Sequence, residues 1–212
     1  FAEAWTGGPL FRSTPWSLKK RGDWAMCEGI NQFVFHVNIH QPWEDRKPGM
    51  SAWFGTEFNR HNTWFGMSKS WVDYLRRCSF LLQQGHHVAD AAYFIGEDAP
   101  KMAGVRKPEL PHGYDYDYIN ADVLHNRARV DGGRLVLADG MSYPLLVLPP
   151  SETMRPETLE KIRSFVDGGL AVFGPLPERS PSMQGYPECD QKVRDLSESL
   201  RARVMNGSDL KE

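Results

Sequence analysis

Between residues 64 and 84, apolar side chains return every three or four positions: Trp64, Met67, Trp71, Tyr74, Leu75, Cys78 and Leu82. That period lays one continuous apolar stripe along a helix, with Lys69, Arg76 and Arg77 off it. Gly85 stands just past its end, where helices commonly stop. A weaker helical period over residues 17–28, closed by Gly29, precedes a short apolar strand at 32–36. The opening Phe1-Ala2-Glu3-Ala4-Trp5 reads as a strand already under way, followed by turn-forming Thr6-Gly7-Gly8-Pro9. The chain is therefore expected to be an excerpt from a longer polypeptide.

The pattern changes after Gly85. Residues 88–95 predict a buried strand, 96–114 a Pro- and Gly-rich loop, and 119–127 a short helix. Asp115-Tyr116-Asp117-Tyr118 reads as a solvated turn entering that helix. Asp131-Gly132 and Asp139-Gly140 flank Arg134-Leu135-Val136-Leu137, which predicts a small hairpin-like meander. The run 145–148, closed by Pro149-Pro150, predicts a strand buried on both faces. Pro156 and Gly168-Gly169 mark the start and stop of a helix. A strand at 170–173 and an amphipathic helix at 190–204 complete a strand–helix order that implies a parallel, doubly wound sheet. The expected organisation is a first domain over 1–86, a second over 87–205, and a frayed tail at 206–212.

The 212 residues carry a net charge of −2. Mixed signs near neutrality leave no electrostatic footprint for nucleic acid or an anionic membrane. No apolar run approaches the roughly 20 residues of a membrane helix. Cys27, Cys78 and Cys189 lie far apart, so neither a disulfide scaffold nor zinc spacing is expected, and three buried structural thiols are. All seven tryptophans (Trp5, Trp16, Trp24, Trp43, Trp53, Trp64 and Trp71) fall within residues 1–71. Indole stacks on the flat C–H faces of sugars and equally well fills a core.

Candidate chemistry concentrates in residues 1–64. Glu3 sits in an apolar strand, where burial would raise a carboxyl toward the range useful for proton transfer; it reads otherwise as a surface Glu beside a turn. His36 and His40 lack the helical geometry that would make their spacing a metal motif, and His36 also suits a structural role at a strand end. His40, Gln41 and Trp43 precede or flank a loop proline. Asn59 and Arg60, next to Trp64, combine forked donors and acceptors with a stacking face, which is what polyol recognition needs. An ordinary loop in which Asn62 or Thr63 caps the helix is the competing reading. His86 and His87 suit a helix C-terminus. Residues 87–205 contain no nucleophile elbow, phosphate-cradling loop or Cys/His pair; an amidotransferase-like activity there would need a Cys near a strand-to-helix turn.

The ordered strings Ala2-Glu3-Ala4-Trp5, Leu18-Lys19, Gly22-Asp23 and Gly29-Ile30-Asn31 resemble glycoside hydrolase family 106, the α-L-rhamnosidases. Phe35-His36, His40-Gln41-Pro42-Trp43, Pro48-Gly49-Met50, Asn59-Arg60 and Thr63-Trp64 continue the likeness. Tyr114-Asp115-Tyr116-Asp117, Leu146-Val147-Leu148-Pro149, Gly174-Pro175-Leu176-Pro177 and Ser180-Pro181-Ser182 carry it to about Leu200. The resemblance implies an α/β chain: the C-terminal part of an eight-stranded β/α (TIM) barrel, then a flavodoxin-like or glutamine-amidotransferase-like α/β domain. Residues 1–5 and 32–36 would be the last two barrel strands.

It further implies hydrolysis of terminal α-L-rhamnosyl linkages with inversion, a bound calcium ion, and an extracellular or periplasmic setting. Glu3 is then the expected catalytic carboxylate, as general base. His36, His40, Gln41, Asn59 and Arg60 would bind the sugar, with Trp43 or Trp64 as apolar wall. The second carboxylate and most calcium ligands would lie outside this chain. Two strands close no barrel, so the piece alone is expected to be inactive. The alternative is a carbohydrate-binding or scaffold protein whose barrel has lost catalysis.

Overall fold

The computed structural model describes residues 1–7, 10–98, 104–207 and 210. Contacts divide the chain into two units, Phe1–Gly85 and His86–Glu212.

In the first unit, β1 (Ala2–Ala4) and β2 (Phe33–Phe35) pair in parallel, with Glu3 opposite Val34. Parallel strands need a crossover, here α1 (Pro15–Cys27). The helix starts at a capping box. The Ser17 amide donates to the Thr14 hydroxyl, the Thr14 amide donates to Ser17 Oγ (3.0 Å), and Pro15 opens the first turn. Gly22 lets α1 sit close to β1, since a Cβ there would lie 3.3 Å from the Trp5 ring. Strand alternation sends Ala4, Phe33 and Phe35 into a core with Trp5, Leu18, Phe58, Trp64, Trp71 and Leu75, and leaves Val34 exposed on the other face.

The single helix expected over 64–84 is divided. A 3-10 turn, Phe65–Met67, precedes α2 (Lys69–Leu82). Neither Asn62 nor Thr63 caps α2. Ser68 holds the N-cap position without a side-chain bond, and Asn62 Nδ2 donates instead to the Glu57 carbonyl (2.9 Å). Trp71 and Leu75 carry the stripe into the core, whereas Met67 and Leu82 at its ends are exposed.

The second unit contains β3 (Ala91–Phe94), β4 (Tyr116–Ile119), α3 (Ala121–Asn126), β5 (Ala128–Asp131), β6 (Arg134–Leu137), β7 (Ser142–Tyr143), β8 (Leu145–Val147), α4 (Pro156–Asp167), β9 (Ala171–Phe173) and α5 (Glu188–Leu200). The order β4-β3-β8-β9 is parallel throughout, and β5-β6-β7 is the predicted antiparallel meander. The tyrosine–aspartate run is no turn. Tyr116 and Tyr118 pack edge-on against Tyr93, and Asp117 accepts from the Tyr143 hydroxyl (3.0 Å), so strand pairing overrides the local turn composition. The expected helix consequently begins two residues later, with Asn120 Oδ1 accepting from the Val123 amide.

Among the described residues the sheet is not doubly wound. Ala92, Phe94, Leu146 and Val172 face a core supplied by Leu124 of α3, Leu159 and Ile162 of α4, and Val193 and Leu196 of α5. The alternate residues, Ala91, Tyr93, Val147 and Phe173, are covered by Leu110, Tyr116, Leu145 and Leu210 rather than by a helix. Nor are all three thiols buried. Cys27 is exposed and Cys78 half-buried, while buried Cys189 points its thiol toward the Ser182 carbonyl (3.7 Å). The predicted tail at 206–212 falls partly outside the described residues.

Strand β3 ends at a carboxylate that fastens α4. Glu97, 5% exposed, accepts from the Arg155 amide (2.7 Å), Arg155 Nε (2.6 Å) and Thr158 Oγ1 (2.7 Å). It thus satisfies a free amide at the helix start and opposes the helix dipole. Glu97→Ala is expected to destabilise this unit by roughly 2–4 kcal/mol, because three donors lose their acceptor. Hydrogen exchange across the first turn of α4 measures it; unchanged protection would show the latch to be dispensable.

Candidate functional site

Parallel pairing brings the carboxyl ends of β1 and β2 to the same side, and the pairing runs one residue further, with the His36 amide donating to the Ala4 carbonyl (3.0 Å). Glu3 lies one face away from the aromatic core. Of the two sequence readings, buried acid or surface residue, its side chain shows the second within this chain, because alternation gives the aromatic core to Ala4. Its Oε1 accepts from Thr6 Oγ1 (2.7 Å), which draws the carboxylate toward the strand's carboxyl end.

The segment after β2 folds back on it. The Val37 amide donates to Thr56 O (2.7 Å), the Thr56 amide to His36 O (3.1 Å) and the Phe58 amide to Val37 O (2.8 Å). His36 is half-buried and stacked on Phe54 at 4.9 Å and 21°. Gly55, at φ +104, packs so close that a Cβ would lie 2.5 Å from His36 Nδ1.

Of the other residues expected to grip a sugar, several work inside the loop instead. Gln41 is buried; its Nε2 donates to the Ile39 carbonyl (3.2 Å) and the Met50 carbonyl, and its Oε1 accepts from the Met50 amide (3.0 Å). Arg60 forks onto both oxygens of Glu44 (3.0 and 2.8 Å) and donates to the Gln41 carbonyl (2.7 Å). Asn59 is buried, its Oδ1 accepting from the His61 amide (2.9 Å). Trp64 belongs to the core and donates to the Ser13 carbonyl (2.9 Å). The sequence offers the right functional groups, but their hydrogen bonds are spent on shaping the loop. His40 stays exposed, and Trp43 presents its ring, with Arg46 stacked 4.3 Å from its centroid. Trp53, 89% exposed and 4.4 Å from Phe54, extends the aromatic row that starts at His36.

The residue the sequence reading passed over is Glu57. It is fully buried, with Oε2 accepting from Asn59 Nδ2 (2.8 Å). Burial pushes its carboxyl above the usual range, an effect partly offset by the Ala52 amide, Asn59 and nearby His36. Its only local signal was an acid set between Thr56 and Phe58 with an amide side chain two residues on. No group of three His, Cys, Asp or Glu that could hold a metal occurs among the described residues. No helix among them is long and apolar enough to cross a membrane.

A family model described as alpha-L-rhamnosidase, glycoside hydrolase family 106, matches residues 1–208. The chain belongs to that family. It is similar to the solved rhamnosidase of Novosphingobium sp. PP1Y, with a TM-score of 0.84 and 35% identity, covering 97% of this chain and 21% of that one. It is also 43% identical over 201 residues to a Formosa agariphila protein named "Putative beta-glucuronidase", covering 94% of this chain and 17% of the relative. The chain thus spans about a fifth of the length of the proteins it matches. Its mixed α/β fold is similar to that of the solved rhamnosidase. Glu3 is placed at the end of a parallel strand with its carboxylate outside the aromatic core.

Proposed function

We propose that this chain is the portion of an inverting α-L-rhamnosidase that supplies the general base and one wall of the sugar site. The observation that carries the reading is the placement of Glu3 and His36 on adjacent parallel strands, at the end where β/α barrels present catalytic groups. In this reading β1 and β2 are the last two strands of the barrel, and the second unit is an accessory α/β domain built on a parallel four-stranded sheet.

Inversion needs two carboxyl groups about 6.5–9.5 Å apart, one protonating the leaving oxygen and the other taking a proton from water on the opposite face of the sugar. Glu3 takes the proton from water, with the Thr6 hydroxyl fixing the carboxylate that receives it. The partner acid belongs to the remainder of the enzyme, as do the ligands of the calcium expected for the family. His36 and His40 meet hydroxyls, and Trp43 supplies an apolar face. Gln41, Asn59, Arg60 and Trp64 hold the loop that carries them. An enzyme of this kind would work outside the cytoplasm, as expected for the family.

The name of the Formosa relative favours one second reading, a β-glucuronidase. A glucuronide carries a carboxylate that calls for a free cation, whereas rhamnose ends in a methyl group. Of the two arginines of the site loop, Arg60 holds Glu44 through both oxygens and Arg46 lies over the Trp43 ring, so the substrate panel decides between the two sugars. The full-length enzyme should turn over an aryl α-L-rhamnoside and spare an aryl β-D-glucuronide. Proton NMR of the first-released sugar should show the inverted anomer. Preferential cleavage of the glucuronide, or release of the retained anomer, would refute the assignment; binding without turnover would indicate a degenerate barrel.

A further inference from the structure

Trp53 is an indole that the fold supports but does not bury. Of the seven tryptophans, Trp5, Trp64 and Trp71 fill the aromatic core, whereas Trp53 is almost wholly exposed and takes no part in it. Exposure by itself says little, since Trp16 and Trp24 of α1 are exposed as well. What sets Trp53 apart is what it stands on. Its ring meets Phe54 at 4.4 Å and 55°, and Phe54 stacks on the His36 imidazole at 4.9 Å and 21°. Three rings, the first two half-buried and the third exposed, thus lead outward from the carboxyl end of β2.

The row is fixed at its inner end. The Val37 and Thr56 amides donate to the Thr56 and His36 carbonyls (2.7 and 3.1 Å), and Gly55 lies so close that a Cβ there would collide with the His36 ring. Trp53 therefore projects from a pinned segment, yet its ring has no place in the core. An indole left in water forfeits the stabilisation that its burial would give, so packing supplies no reason for tryptophan at this position. A flat ring held at the rim of a sugar site does have a use, because it stacks on the C–H face of a sugar or on another ring.

The place of Trp53 in the row says which part of a substrate it meets. Glu3 and His36 stand on neighbouring strands, at the end where the glycosidic bond is to be cleaved. With His36 on the hydroxyls of the sugar being cleaved off, a ring two stacking steps further out meets what that sugar is attached to. We propose that Trp53 is the platform for the leaving group: its exposed face stacks on a flat apolar surface of the group released, the C–H face of a second sugar or an aryl ring. Phe54 joins that platform to His36. This contact presupposes the glycosidase reading and lies on the side of the bond to which that reading assigns no residue.

Varying the leaving group in the full-length enzyme tests it. Trp53→Ala should lower kcat/KM by about tenfold, the worth of one aromatic stacking contact, on p-nitrophenyl α-L-rhamnoside or on an α-L-rhamnosyl-glucose disaccharide. On α-L-rhamnosyl fluoride, whose leaving group offers no face to stack on, the loss should stay under about threefold. Trp53→Tyr, which keeps a flat ring, should recover most of what Trp53→Ala loses. A fall confined to the aryl substrate identifies an aromatic leaving group, and one confined to the disaccharide a sugar. Equal losses on all three substrates would overturn the proposal, and a lowered Tm alongside would show that the remainder of the enzyme covers Trp53. No loss on either ring-bearing substrate would overturn it as well. The two readings fail separately: a wild type that cleaves glucuronides instead refutes the rhamnosidase assignment, and the same comparison is then made on glucuronyl substrates, whereas a wild type that cleaves no glycoside refutes both.

Discussion

Glu3→Gln in the full-length enzyme should lower turnover of an aryl α-L-rhamnoside by about 10²–10⁴-fold, the range removed with a general base. At about 1.4 kcal/mol per factor of ten, that is roughly 3–5 kcal/mol of transition-state stabilisation. The substitution changes charge and almost nothing else. Glu3 is exposed and outside the aromatic core, and a glutamine oxygen can still accept from Thr6 at the 2.7 Å now spanned. Stability and KM should therefore change little while kcat falls. Thr6→Val, which frees the carboxylate without discharging it, should cost far less than Glu3→Gln. Measured kcat values for the two variants decide the matter: a loss below about tenfold for Glu3→Gln would remove it from acid–base work.

The second large effect belongs to packing. Trp71→Ala should destabilise the first unit by about 3–5 kcal/mol, as truncation of a buried aromatic does. Trp71 lies at the middle of the core, its ring 5.0 Å from Trp5, 5.5 Å from Phe35, 6.0 Å from Phe58 and 6.2 Å from Trp64. Those neighbours come from both strands, the site loop and the approach to α2, so the cavity left by alanine cannot be closed by moving one element. Trp71→Phe gives the informative contrast. The indole Nε1 is buried without an acceptor, so phenylalanine removes an unpaired donor along with part of the ring and should cost under about 1.5 kcal/mol. Calorimetric unfolding of the two variants separates the cases. Equal losses would mean that the nitrogen has a partner worth keeping.

The two predictions draw on opposite faces of the same two-stranded sheet. Ala4, Phe33 and Phe35 face the core that Trp71 completes, and Glu3 with Val34 faces away from it. A strand pair three residues long can hold the Glu3 carboxylate in place only because the face behind it is rigid. Loss of Trp71 should therefore be felt in kcat near the unfolding transition before the unit melts, whereas Glu3→Gln should be silent in calorimetry.

Residue order alone was enough for much of this protein. The three-to-four-residue recurrence through Trp71 and Leu75, the Pro156 and Gly168-Gly169 boundaries, the Asp131-Gly132 turn and the parallel order of strands and helices are local or nearest-neighbour properties, and each appears in the structure close to where periodicity puts it. The family, too, was legible from short strings in order. What sequence could not decide was where each polar side chain spends its hydrogen bonds. Gln41, Asn59 and Arg60 have the donors and acceptors of a sugar site, yet the folded loop consumes them, because partners such as Met50, Glu57 and Glu44 arrive from elsewhere in the chain. Glu3 reads in sequence either as a buried acid or as a surface residue and is exposed in this chain, since a strand's period says which residues share a face but not which face meets the core. Glu57 looked like one more loop acid. Only the fold-back of 56–58 onto 36–37 encloses it, and enclosure, the property that gives a carboxylate its unusual chemistry, is created by tertiary structure alone.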